Sequence, residues 1–96
     1  MSTGTVRVEA HVVVTGKVQG VWFRAATQAA ARGEGVAGWV RNLPDRSVEA
    51  LLQGDQDAVS RVVDWMRHGP PGARVTDIRV DTRPVGVFHE GFEVRH

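Results

Sequence analysis

The run Gly16-Lys17-Val18-Gln19-Gly20-Val21-Trp22-Phe23-Arg24 places two glycines, a series of backbone amides and one arginine in close succession. Glycine admits backbone conformations closed to other residues and keeps a loop free of side-chain bulk. The amides from Lys17 to Trp22 can therefore turn toward one point as an anion nest. Arg24 adds a permanent charge and a two-pronged donor matched to phosphate oxygens. The chemistry offered is the holding of a phosphate. A plain strand-to-helix turn with a solvated arginine is the other reading of the same spacing, since short glycine motifs recur widely. An arginine in the first turn of a helix faces the positive end of the macrodipole, disfavoured by about 0.3–1 kcal/mol. An anion between the two reverses that sign. Farther on, Asn42 carries an amide able both to donate to and to accept from a water molecule, and it equally suits a residue that opens a turn before Leu43-Pro44.

These groups need elements to position them. From Val6 to Val14 the chain alternates, with Val6, Val8, Ala10, Val12 and Val14 on one face and Arg7, Glu9 and His11 on the other. That period of two predicts a half-buried strand. The glycine loop, 15–21, follows. An alanine-rich helix is expected from Trp22 to Arg32, with Phe23, Ala26, Thr27 and Ala30 as its buried stripe and Gly33 and Gly35 suited to end it. A second strand spans Val36 to Asn42, with Val36, Gly38 and Val40 facing one way. Leu43-Pro44-Asp45-Arg46 turns the chain into a third strand through Val48, Ala50 and Leu52. Asp55 suits the N-cap of a second helix whose stripe is Ala58, Val59, Val62, Val63 and Met66. His68-Gly69-Pro70-Pro71-Gly72 stops that helix. A fourth strand covers 75–82, where the alternation slips between Val75 and Ile78, and a last strand covers 88–95 with Phe92 and Val94 inward. The order β-α-β-β-α-β with an added C-terminal strand predicts an α+β fold. It is the ferredoxin-like α/β sandwich, two helices on one face of an antiparallel sheet. That fold hosts many functions, so it decides none.

Composition narrows the classes. Ninety-six residues, 42% hydrophobic and 24% charged, fit one soluble domain, expected over 6–96 after a disordered tail at 1–5. No apolar run has membrane-spanning length, and no secretion-signal pattern opens the chain. The absence of cysteine excludes disulfides, thiolate catalysis and zinc–sulfur sites, and is compatible with a cytoplasmic location. A net charge of +1 argues against nucleic acid as a partner. Lys17 is the only lysine, and arginine supplies the other basic groups. His11, His68, His89 and His96 lack metal-ligand spacing, so no metal and no cofactor are expected. Asp55 with Asp57, and Glu90 with Glu93, fit a helix start and a strand surface better than a catalytic pair. Trp39 and Trp65 read as core or interface residues, and Trp22 either flanks a bound group or packs at the sheet edge. Small size and modest charge make a monomer the default.

The run Val14 to Arg24 resembles the first signature of the acylphosphatases at each of its fixed positions. Gly38-Trp39-Val40-Arg41-Asn42, then Val48, then Gly54, resembles the second at the expected spacing. One position departs: the family usually has glycine where this chain has Arg46, which would alter the turn without removing a catalytic group. The resemblance covers nearly the whole chain, and two spaced motifs are far more specific than one. It implies hydrolysis of the carboxyl-phosphate bond of acyl phosphates to a carboxylate and inorganic phosphate, with phosphate also a competitive inhibitor. On this sequence it implies catalytic roles for Arg24 and Asn42. Gly16, Lys17, Val18, Gln19, Gly20, Val21 and Trp22, with Arg24, would hold the substrate phosphate, and Asn42 would hold the attacking water. Other readings of the same chain are a binding module: an RNA-recognition domain, which would want aromatics on the central strands, or an anion-sensing, non-catalytic acylphosphatase-like domain. A domain detached from larger carbamoyl-transfer maturation proteins is disfavoured because nothing follows His96.

Overall fold

The valine alternation of the first segment builds β1, Arg7–Lys17, whose Ala10, Val12 and Val14 are fully buried. The structure, a computed structural model, describes residues 6–96; the expected tail at 1–5 lies outside the described residues. The remaining elements are α1 (Phe23–Gly33), β2 (Ala37–Asn42), β3 (Val48–Asp55), α2 (Gln56–Met66), β4 (Arg74–Pro84) and β5 (Phe92–Arg95). The five strands form one sheet in the order β4-β1-β3-β2-β5. Both helices share its core: α1 packs against β2 and β5, and α2 against β1 and β3. The ferredoxin-like sandwich with an added C-terminal strand is the observed architecture.

Three neighbouring pairs are antiparallel, while β5 runs parallel to β2 and makes the sheet mixed. The reason is where β4 leaves the chain. It ends beside the start of β1, with Pro84 opposite Val8, so the chain must cross the sheet at that end and climb again. The climb beside β2 begins at Phe92, opposite Gly38. Much of the expected strand 88–95 is therefore crossing loop, and only Phe92–Arg95 pairs.

That crossing buries a residue expected on the solvent side. Glu9 is 5% exposed. Its carboxylate accepts hydrogen bonds from Arg83 Nε at 2.7 Å, Gln53 Nε2 at 2.8 Å and the Gly86 amide at 3.4 Å. Gln53 in turn donates to the Val87 carbonyl and accepts from the His89 amide. Burial pushes the Glu9 carboxyl up. The hydrogen bonds from Arg83, Gln53 and Gly86, with the charge of Arg83, outweigh burial and hold it below its ordinary value of 4.5. A depressed folded-state value stabilises the fold above the unfolded-state value, and that contribution is lost as pH falls through the folded one. Denaturant unfolding at about pH 7 and about pH 3 should therefore show a smaller acid loss for Glu9→Gln than for the parent chain. Equal losses would take Glu9 out of the acid response.

The slip in the fourth strand is a β-bulge. Thr15 pairs with Asp77 and Gly16 with Val75, so Thr76 is the extra residue, and its hydroxyl donates to the Thr15 carbonyl at 3.2 Å. In α1 the buried stripe is Phe23, Thr27 and Ala31, with the expected Ala26 and Ala30 only half-buried. The α2 stripe is buried as read, Ala58, Val59, Val62, Val63 and Met66. Asp55 stands at the α2 N-cap position without a capping side-chain bond; its carboxylate lies 3.6 Å from Arg7 instead. Of the two glycines suited to end α1, Gly35 takes the left-handed backbone and Gly33 stays helical.

Candidate active site

The strands deliver three chain segments to one end of the sheet: the end of β1, the end of β2 and the start of α1. Between them lies a cleft of about 300 Å³, lined by Val18, Gln19, Gly20, Trp22, Phe23, Arg24 and Asn42. Arg24 and Asn42, far apart in sequence, thus line the same cavity. Phe23 anchors the helix start beneath it, buried and packed on Trp65 with ring centroids 5.7 Å apart.

The loop is shorter than expected. β1 continues to Lys17, so Gly16 and Lys17 are strand residues paired with Val75 and Arg74 of β4, and neither lines the cleft. Gly16 is required there by close approach: at φ 123° a Cβ would sit 2.1 Å from the Arg74 carbonyl oxygen. Gly20 has a different role. At φ 74° it turns the loop in open space, where a Cβ would meet nothing within 4 Å. The Val18 side chain is core, and Val21 packs against that core outside the cleft. Trp22 precedes α1 rather than opening it, holds a left-handed backbone at φ 65° and is 83% exposed. It lies on the cleft wall, not at the sheet edge.

The electrostatics favour an anion. Trp22 gives α1 no capping side chain, and no acidic residue stands in the first turn. Neither its N-cap nor its first turn therefore supplies an anion to the first-turn amides and the positive end of the helix. Arg24 also has no acidic partner among the described residues. Its Nη1 donates to the Arg95 carbonyl at 2.9 Å and meets Nδ1 of His96 at 3.1 Å, which leaves Nε and Nη2 as donors for a ligand. No three His, Asp or Glu side chains cluster as metal ligands among the described residues.

The sequence profile of the acylphosphatase family matches residues 10–94. The chain belongs to the acylphosphatase family. An acylphosphatase of Gloeobacter violaceus is 59% identical over 88 residues, spanning 91% of this chain and 92% of its own. One of Aeropyrum pernix is 49% identical over 90 residues, spanning 93% and 89%. The crystal structure of acylphosphatase from Bacillus subtilis superposes with a TM-score of 0.90 at 35% identity, covering 93% of this chain and 99% of that one.

Two supports of the acylphosphatase loop escaped the sequence reading. The Gln19 side chain does not point into an anion site. Its Nε2 donates to the carbonyls of Leu43 and Ser47, each at 2.9 Å, and so ties the loop to the turn that follows Asn42. The glycine-bounded motif flags the residue but not this partner. The second support is the C-terminal segment on Arg24, which depends on the parallel course of β5.

The turn also shows what the departure at Arg46 does. Asp45 accepts from the Ser47 amide at 3.0 Å and from its hydroxyl, and these bonds hold the Asp45 carboxyl below its ordinary value. Arg46, between them, is forced to φ 76°. A non-glycine residue there pays about 1–2 kcal/mol relative to a right-handed conformation. Arg46→Gly is expected to stabilise the fold by about 0.5–1 kcal/mol after the added freedom of the unfolded chain is subtracted. Thermal unfolding measures this, and an unchanged or lowered midpoint would show that the Arg46 side chain compensates for its backbone.

Proposed function

We propose that this chain hydrolyses acyl phosphates at the carboxyl-phosphate bond, releasing a carboxylate and inorganic phosphate. The amides of the loop through Gly20 to the start of α1, with Arg24, hold the phosphoryl group. Asn42 holds a water in line with the leaving carboxylate. The water oxygen attacks phosphorus, the bond to the carboxylate oxygen breaks, and the water's proton passes to a phosphoryl oxygen. A carboxylate is a good leaving group, so positioning and charge stabilisation are the main demands on the protein. Neither a nucleophilic side chain nor a general base is needed. The observation that carries this reading is the single cleft shared by Gly20, Arg24 and Asn42, which come from two separate signatures of the family.

All of these groups come from one copy of the chain, so a monomer is a sufficient catalytic unit. Inorganic phosphate, as product, competes for the same donors. No helix among the described residues is long and apolar enough to cross a membrane. The cytoplasmic location expected from the cysteine-free composition stays part of the proposal. The test is hydrolysis of benzoyl phosphate followed by ultraviolet absorbance, with and without a chelator and with inorganic phosphate as competitor. Turnover that phosphate inhibits and the chelator leaves unchanged supports the reading. A folded protein that binds phosphate without turnover would make it an anion-sensing domain instead.

A further inference from the structure

β4 is one of the two edge strands of the sheet, and among the described residues its outer edge pairs with nothing. Most of its residues are exposed, including Val80 at 39%. From its register with β1, the side chains of Asp77, Arg79, Asp81 and Arg83 lie on the helix-free face, opposite Thr15, Val13, His11 and Glu9. Ile78, Val80 and Thr82 lie on the helix face, opposite Val14, Val12 and Ala10. The signs on the helix-free face alternate along the strand: minus, plus, minus, plus.

That order is self-complementary about Val80. In an antiparallel pairing with Val80 on a two-fold axis, Arg79 falls opposite Asp81 of the second copy, and Asp77 opposite Arg83. Each pairing occurs twice. On the other face, the two Val80 side chains meet and Ile78 lies opposite Thr82. Sliding either strand by two residues instead puts Asp77 opposite Asp81, or Arg79 opposite Arg83. One register attracts and its neighbours repel, which is how a pairing is specified. The boundaries agree. The bulge at Thr76 breaks the strand on one side and Pro84, with no N–H to donate, on the other. The regular segment between them, 77–83, is centred on Val80.

Charges, a bulge and a proline also serve to keep edge strands apart. The sign order favours pairing, because it attracts in the register about Val80, where an edge of a single sign would repel in every register. The groups are also available to differing degrees. Asp81 has no ion pair among the described residues, and Arg79 holds only a 4.0 Å contact with Asp77. Arg83 is committed to Glu9 at 2.7 Å, so the two central pairs between Arg79 and Asp81 carry most of the recognition.

We propose that two copies of this chain pair reversibly through β4, in register about Val80, to make one continuous ten-stranded sheet. The contact is small, so it is a weak dimer that fills as concentration rises. No residue lining the catalytic cleft belongs to β4, and each paired copy keeps its own cleft open. The inference stands apart from the proposed reaction.

Sedimentation velocity of the full chain from about 1 μM to about 1 mM tests it. The weight-average mass should rise toward twice that of one chain. Arg79→Asp and Asp81→Arg each place like charges opposite one another, and each should raise the dissociation constant about tenfold or more. An equimolar mixture of the two variants should associate again as a 1:1 heterodimer, since an acidic edge then faces a basic one. Circular dichroism confirms that both variants are folded, and turnover per chain should stay at the parent value. A parent chain that stays monomeric throughout, a dimer that both variants leave intact, or a mixture that fails to associate would each overturn the proposal.

Discussion

Arg24→Ala should lower turnover of an acyl phosphate by about a thousandfold or more, and abolish inhibition by inorganic phosphate with it. In the proposed site the guanidinium is, among the described residues, the one formal positive charge on the cleft wall, and its proposed role spans the ground state and the transition state alike. As negative charge spreads over the phosphoryl oxygens, a fixed cation beside the helix start stabilises it without reorganising solvent. The three N–H donors not spent on Arg95 and His96 suit two phosphoryl oxygens at once. Removing the side chain should leave the fold intact. Arg24 is only half-buried, and its protein contacts are two hydrogen bonds to the C-terminal segment, together worth about 1–2 kcal/mol. Activity, phosphate inhibition and a thermal melt on the same preparation separate the roles. If cooperative unfolding disappears along with activity, Arg24 is an anchor for β5 and its chemistry is unproven.

Much of the fold is legible in the sequence, for reasons that differ by element. The valine alternation of β1 and the stripe of α2 reflect packing on one broad core, and period alone reads such surfaces well. The loop was legible as a glycine-punctuated turn into α1, because glycine spacing carries that signal locally. Its length was not. Gly16 and Lys17 look like loop residues in isolation, yet β4 offers them a ladder, and only the sheet order reveals it. Glu9 shows the same limit. On a strand's polar face it reads as solvated, and it is buried because the segment after β4 crosses over it. The Gln19 ties and the contacts of Arg24 with Arg95 and His96 are long-range bonds between short irregular segments, which leave no periodic trace. Arg46 is the opposite case. A departure from the family's glycine was visible in the sequence, and its consequence, a left-handed backbone at a charged residue, needed the structure.

The same reasoning predicts a different failure for the second group. Asn42→Ala should lower kcat by about 100- to 1000-fold while the inhibition constant of inorganic phosphate stays within about twofold. Asn42 closes β2 opposite Val48, so its backbone is fixed by the sheet, and Gln19 fixes the turn that follows. Its carboxamide has no side-chain hydrogen bond among the described residues and can donate to and accept from the same water. Such a group gains most when the water is in flight toward phosphorus, and little when phosphate alone occupies the cleft. Differential stabilisation of that kind appears in kcat and is nearly silent in ground-state binding. In the proposed roles, Arg24 holds the phosphoryl group in both states and its removal should lose both, whereas Asn42 holds only the water and its removal should lose one. If Asn42→Ala weakens phosphate inhibition as much as it slows turnover, the asparagine holds the phosphate instead. The attacking water would then have to be positioned by the loop amides alone.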